Sequence, residues 1–219
     1  MATDIEIITC VDPITESNCY LLSCEGHAVV IDPNDKDRPL RKLKELGLVP
    51  ELILLSHEHC DHMIGADPIR AAYPDCKMIC SNTCNEGLQS ERLNMTAVMQ
   101  VYLSFRGKPA IPYPRFKCNI SDISFSGEYN FEWRGHRFRI KELPGHTPGS
   151  ECIILDENIL FSGDYLIPEE EVILRMPGGN EDDYKKFTVP FLDQLNPELF
   201  VYPGHKYPFK LSNYKAYGD

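Results

Sequence analysis

Leu52-Ile53-Leu54-Leu55-Ser56-His57-Glu58-His59-Cys60-Asp61-His62 decides the fold and chemistry of this chain: an apolar run of strand length leads directly into three imidazoles and two carboxylates within six residues. These are metal-ligand side chains at metal-ligand spacing. In extended chain leaving the strand, His57 and His59 project to one side and can grip one ion at about 2.0–2.1 Å. Asp61 and His62 follow where the backbone begins to turn, so the same hexapeptide can serve a second ion. Gly145-His146-Thr147 and Pro203-Gly204-His205 place two more histidines at the ends of short apolar or β-rich segments, and Leu160-Phe161-Ser162-Gly163-Asp164 ends a strand in a carboxylate that can bridge two cations through its two oxygens. Of the seven histidines only His27 and His136 lie elsewhere, at predicted hairpin turns, where both read as surface residues without a role.

Around this stretch the pattern alternates strands and helices. Short β-like runs cover 5–9, 18–24 and 28–31, with Glu25-Gly26-His27 as a hairpin turn. Residues 38–46 read as an amphipathic helix with Leu40, Leu43 and Leu46 on one face and Gly47 as its stop. A helix over 64–72, a strand over 77–80 and a helix starting near Asn82 follow. Later, 129–133 and 136–143 form a hairpin about Gly135, and 151–155 pairs with 159–162 across Asp156-Glu157-Asn158. A helix over 183–195 precedes a last strand at 199–202. The ligand types at strand ends in both halves suit two sheets packed face to face with helices outside, an α+β arrangement in one domain spanning 1–219.

Composition narrows the functional classes. The chain has 219 residues, 42% hydrophobic and 25% charged, which is the balance of an ordinary soluble globular protein. A net charge of -11 argues against non-specific attraction to DNA, RNA or anionic lipid. The N-terminus has neither a basic nor an apolar targeting region, and no run reaches the roughly 18 apolar residues that span a bilayer, so the expected location is cytoplasmic, with no membrane and no nucleic acid as partner. Nine cysteines scattered through apolar segments suit reduced, buried thiols. Cys76, Cys80 and Cys84 read as free cysteines and Cys60 as a passive small residue.

The order HxHxDH (57–62), PGHTPGS (144–150), LFSGD (160–164) and YPGH (202–205) resembles the metallo-β-lactamase superfamily, most closely its glyoxalase II-like hydrolases, over nearly the whole chain. The resemblance implies an αββα sandwich of two mixed sheets and two zinc ions, with iron or manganese as alternatives. It implies that His57, His59 and His146 hold the first metal, that Asp61, His62 and His205 hold the second, and that Asp164 bridges them. Asp61 would also orient the attacking water. The implied reaction is metal-assisted hydrolysis, in which paired cations ionise a shared water and polarise the scissile group, most naturally in a thioester or related acyl substrate. A lactonase or phosphodiesterase could use the same centre. A persulfide dioxygenase-like enzyme would use one iron and would not need the second set of ligands, all of which are present here.

The resemblance does not extend to the basic C-terminal helical extension with which glyoxalase II binds glutathione, so hydrolysis is implied without that substrate. Arg175-Met176-Pro177-Gly178-Gly179 is similar to the R-x-x-G-G loop that follows the bridging aspartate in glyoxalase II-like enzymes, and Lys206 puts a positive charge beside the last histidine. The segment 92–118 is least like the glyoxalases. It holds Arg92, Arg106, Lys108, Arg115 and Lys117 with no acid, interleaved with Met95, Met99, Tyr102, Phe105, Tyr113 and Phe116, and Pro109, Pro112 and Pro114 point to an ordered lid. Two readings are open: a flap recognising an anionic, partly apolar small molecule through Arg106, Arg115 and Tyr113, or a helical hairpin packing its apolar residues into the core.

Overall fold

A computed structural model describes residues 4–108 and 112–214 of the chain. Its first sheet holds β1 (Glu6–Val11), β2 (Asn18–Cys24), β3 (His27–Ile31), β4 (Val49–Leu54), β5 (Lys77–Ser81) and β6 (Ile123–Phe125) in that order. The β1-β2 and β2-β3 pairs are antiparallel and the other three parallel. The second sheet runs β12 (Phe209–Lys210), β11 (Phe200–Pro203), β10 (Ile159–Gly163), β9 (Glu151–Leu155), β8 (His136–Glu142) and β7 (Glu128–Trp133), antiparallel except where β10 meets β11. Both sheets are mixed, as expected.

Local chemistry explains the pairings. Glu25-Gly26, Arg134-Gly135 and Asp156-Glu157 each place two successive residues at positive φ, the backbone that a tight hairpin turn requires, and they close β2-β3, β7-β8 and β9-β10. The apolar run that ends in the histidine motif belongs to β4, which lies between two parallel neighbours and is covered on both faces. Alternate residues face opposite ways. Leu22, Val29, Ile31, Leu54 and Ile79 meet Phe138, Ile140, Ile153, Leu155 and Phe161 between the sheets. Leu21, Val30 and Ile53 face outward onto Leu43 of α1 (Arg38–Leu46), Met63 of α2 (Cys60–Met63) and Ile69 of α3 (Ala66–Ala72). On the other side Ile154, Leu160 and Val201 pack with Phe191, Leu192 and Leu195. Helix, sheet, sheet, helix is therefore the layer order. No helix among the described residues is long and apolar enough to cross a membrane.

Several expectations are corrected. The helix expected over 64–72 begins at Ala66, and a separate short helix at Cys60–Met63, inside the histidine motif, precedes it. The helix expected over 183–195 is broken into α6 (Glu181–Asp183), a π-helical turn at Tyr184–Thr188 and α7 (Val189–Leu192). Pro190 has no N–H for the carbonyl one turn back, which interrupts the α-helical ladder there. His136 is buried, not on the surface: pairing of β8 with β9 brings its Nδ1 to 2.6 Å from Asp156 Oδ2. His27 is half-buried, with Nδ1 2.9 Å from Glu51 Oε1.

The segment 92–118 contributes to the core. Met95, Met99 and Leu103 are buried, and Tyr102, Tyr113 and Phe116 pack against the same cluster. The outer side of α5 (Met99–Phe105) exposes Val101 and Phe105. Pro109 lies outside the described residues.

Candidate metal centre

Four strand ends converge on one edge of the sandwich. Beyond β4, Leu55 and Ser56 lead to His57 and His59, and α2 then turns Asp61 and His62 back towards them. The loop between β8 and β9 carries His146. The parallel pair β10-β11 ends in Asp164 and His205 side by side, with the Gly204 amide donating to the Gly163 carbonyl at 2.8 Å.

The seven side chains form two sets. Ligand atoms of His57, His59 and His146 lie within 4.8 Å of one another, as do those of Asp61, His62 and His205. His59 Nδ1 and His146 Nε2 are 3.1 Å apart, close to the roughly 3.3 Å edge of a tetrahedron with about 2.0 Å bonds. Asp164 spans both sets: Oδ2 is 3.5 Å from His146 Nε2, while Oδ1 is 3.5 Å from His62 Nε2 and 3.6 Å from His205 Nε2. His57 Nε2, His62 Nε2 and Asp164 Oδ1 are buried without a hydrogen-bond partner among the described residues, and these three residues form a third close group. A buried polar atom left unpaired costs about 1–3 kcal/mol. Three of them facing one another fit a cation, and the donor set of imidazoles and carboxylates is one that divalent metals take.

Electrostatics agree. Burial, and then the neighbouring imidazoles, push His57 well below the ordinary histidine range and leave it neutral, the form a ligand needs. Burial and the facing His146 do the same for His59. Burial opposes the charge on His62, but Asp164, Asp61 and Asp32 outweigh it and push the imidazole up to about 10. Burial likewise opposes Asp164, and His205, His62, His146 and His59 together hold its carboxyl far below the usual range. The carboxylates thus favour positive charge on the His62 side of the pocket.

Supporting residues carry no recognised motif. Asp32, at φ +51 just past β3, accepts from the Ser56 amide at 2.7 Å and the Ser56 hydroxyl at 2.6 Å, and its Oδ2 lies 3.1 Å from His62 Nδ1. Ser17 donates to the Asp61 carbonyl at 2.8 Å, and the Ile173 carbonyl faces His146 Nδ1 at 2.8 Å. Such partners fix ring orientation and tautomer. One signal was available for Asp32: Ile31-Asp32 repeats the strand-then-carboxylate grammar of Gly163-Asp164. Ser17 had none.

The residues expected to meet substrate separate. Arg106 lines the cleft over the centre together with Tyr102, His146, Asp164 and His205. Arg115 and Arg175 are exposed and do not line it. Tyr113 is half-buried against Cys60. Lys206 turns away to donate to the Pro168 carbonyl at 2.7 Å and pairs with Glu170 at 3.4 Å. Cys60, Cys76, Cys80 and Cys84 are buried free thiols.

Residues 13–205 match the family model of the metallo-β-lactamase superfamily. A probable polyketide biosynthesis zinc-dependent hydrolase from Bacillus velezensis is 26% identical over 192 residues, covering 86% of this chain and 72% of that protein. The hydroxyacylglutathione hydrolase GloC of Haemophilus influenzae is 27% identical over 214 residues, 92% of this chain and 90% of its own length. The crystal structure of the BLEG-1 B3 metallo-β-lactamase superposes with a TM-score of 0.76, covers 95% of both chains at 24% identity, and speaks for the fold alone. The chain belongs to the metallo-β-lactamase superfamily, as a glyoxalase II-like, metal-dependent hydrolase.

Proposed function

We propose that this protein is a dinuclear zinc hydrolase of a thioester or related acyl compound. The observation that carries the reading is the division of Asp164 between two triads, one oxygen towards each. His57, His59 and His146 would hold one cation, Asp61, His62 and His205 the other, with Asp164 between them. A pair of divalent cations supplies a nucleophilic water at neutral pH and polarises the scissile carbonyl. The chain's own part is orientation: Asp32 and Ser17 fix His62 and Asp61, and Asp61, with two carboxylate oxygens, can accept a proton from the attacking water while it ligates. The complete second triad favours two metals over the single iron of a persulfide dioxygenase. Thioester chemistry is supported by kinship with hydroxyacylglutathione hydrolases rather than by any residue in the cleft wall.

The cleft over the centre has a volume of about 30 Å³, room for about one water, against the several hundred typical of substrate sites. Residues 99–108 would act as a lid. Arg106 pairs with Glu170 at 3.6 Å and Lys108 with Glu16 at 2.7 Å, tying the lid to the loops that follow Asp164 and precede Ser17. These cations already have carboxylate partners, so an anionic substrate would have to displace them.

The deciding experiment joins metal analysis of purified protein to a screen of thioesters, lactones and phosphodiesters. Two zinc per chain and thioester turnover abolished by His59→Ala are expected. Turnover confined to lactones or phosphodiesters would replace the substrate class, and one iron with oxygen uptake on a glutathione persulfide would replace the reaction.

A further inference from the structure

Glu58 sits between two proposed ligands and points away from them. It is fully buried, in a chain where such carboxyls are few. Its Oε2 accepts from the Thr147 hydroxyl at 2.8 Å, and the Gly149 amide faces the same carboxyl. Thr147 is the residue after His146. Its hydroxyl also meets the Ser150 hydroxyl at 2.9 Å, and its amide donates to that hydroxyl at 3.0 Å, so the whole 146–150 turn is gathered on the Glu58 carboxyl.

The surroundings are shaped for this one side chain. A Cβ at Gly87 would stand 2.3 Å from Glu58 Cγ, and a Cβ at Gly149 would stand 2.8 Å from Glu58 Oε2 and 2.4 Å from the backbone of Cys84. Both are sub-van-der-Waals contacts, so only glycine lets α4 (Asn82–Leu88) and the 146–150 turn close on it. We infer that Glu58 is the positioning residue of the first metal position: a strut behind the site that holds the 57–59 segment against the 146–150 turn and so sets the 3.1 Å approach of His59 to His146. The second triad is braced from the other side, through Asp32 and Ser17, and Asp32 also reaches His57 through the Ser56 hydroxyl, which lies 2.9 Å from His57 Nδ1. The inference rests on the proposed assignment of these histidines as ligands, and it adds that Glu58 supports the first position alone, whereas Asp32 serves both.

Zinc affinity separates the alternatives without reference to turnover. A His205→Ala background dismantles the second triad and leaves the first, and His146→Ala does the reverse. Glu58→Ala is expected to weaken zinc binding about 10- to 100-fold in the first background, the usual cost of losing an outer-shell partner, and less than about threefold in the second. Glu58→Gln, which can still accept from Thr147, is expected to restore the affinity. Thr147→Val removes the donor at near-constant shape and carries the same expectation if Glu58→Ala fails to fold. Equal loss in both backgrounds would reduce Glu58 to general packing, and unchanged affinity in the first would overturn the strut outright. An affinity split without any thioester turnover would leave the strut standing and sink the substrate reading alone. Failure of the His205→Ala protein to take up zinc would remove the strut together with the ligand assignment.

Discussion

Gly204 shows how closely single side chains constrain the centre. A Cβ there would meet Asp164 Oδ1 at 2.2 Å and His62 Cε1 at 3.0 Å. Gly204→Ala is therefore expected to displace the carboxylate that both triads share and to lower zinc content from two towards one per chain or below, measured by elemental analysis. Retention of two tightly held zinc ions would contradict the shared role of Asp164. The seven ligand-type residues were legible because each follows a strand signal with a residue type that rarely ends a strand for packing reasons. Glu58 was not, and Asp32 offered only its place after a strand, since a buried carboxylate is defined by what surrounds it, and those partners lie 24 to 89 residues away. Glu151 is a third such group, fully buried, with the Ser81 amide on one oxygen and no hydrogen-bond partner on the other among the described residues. Burial, and then Cys80, push its carboxyl well above the usual range. A raised folded value means the native state holds the proton more tightly than the unfolded one, so this group favours folding below the unfolded carboxyl range and loses that contribution as pH rises through its folded value. Glu151→Gln has no such term. The melting-temperature difference between wild type and variant should move in the variant's favour from pH 4 to pH 8, and a constant difference would contradict the buried, protonated acid.

Among the elements, the lid is where sequence and structure diverge most informatively. Two readings of 92–118 competed, and the structure supports part of each. Met95, Met99 and Leu103 serve the core, while Arg106 lines the cleft. Periodicity could not separate them because one short helix does both, its apolar face inward and its cations at the rim. The two latches differ in strength. Lys108 holds the Glu16 carboxyl below its usual range, through the hydrogen bond they share, yet Glu16 is mostly exposed. Exposed pairs of this kind contribute roughly 0.2–1 kcal/mol each, up to about a fivefold change in the open population. If opening admits substrate, kcat/KM on a bulky thioester should rise with salt, which screens the pairs. Glu16→Gln/Glu170→Gln should raise it at low salt by about three- to tenfold and abolish the salt response. Identical salt profiles in wild type and variant would show that 99–108 does not gate the cleft. Two elements that the sequence left unassigned, a two-residue β12 and the α2 turn beginning inside the histidine motif, are too short for any periodic signal.

At the level of the molecule, the two sheets meet through an apolar layer that runs from Leu22 and Leu54 on one side to Phe138 and Phe161 on the other. The layer order was legible from the sequence, because a β-rich, mixed, β-rich, mixed order with ligand types at strand ends in both halves suits two sheets packed face to face with helices outside. The pairing that sets β11 parallel to β10, one strand in from the edge of the second sheet, depends on contacts 41 residues apart that no local pattern encodes. The centre lies at the open rim of this sandwich and draws on both layers: His57, His59, Asp61 and His62 follow β4 of one sheet, while His146, Asp164 and His205 follow β8, β10 and β11 of the other. Each proposed metal position takes ligands from both sheets, so a bound cation would also fasten one sheet to the other. A ligand that binds only the folded state stabilises it by about 2.7 kcal/mol at a hundredfold excess over its dissociation constant. For a chain of this size that corresponds to roughly 5–10 °C in melting temperature. Calorimetry of the zinc-loaded protein with and without a strong chelator should show a drop of that order in one cooperative transition. His59→Ala, which removes the first position and leaves the second, should begin between the loaded and chelated values and respond less to chelator. A chelator that strips the metal without moving the transition would mean that the cations sit at the rim without joining the layers.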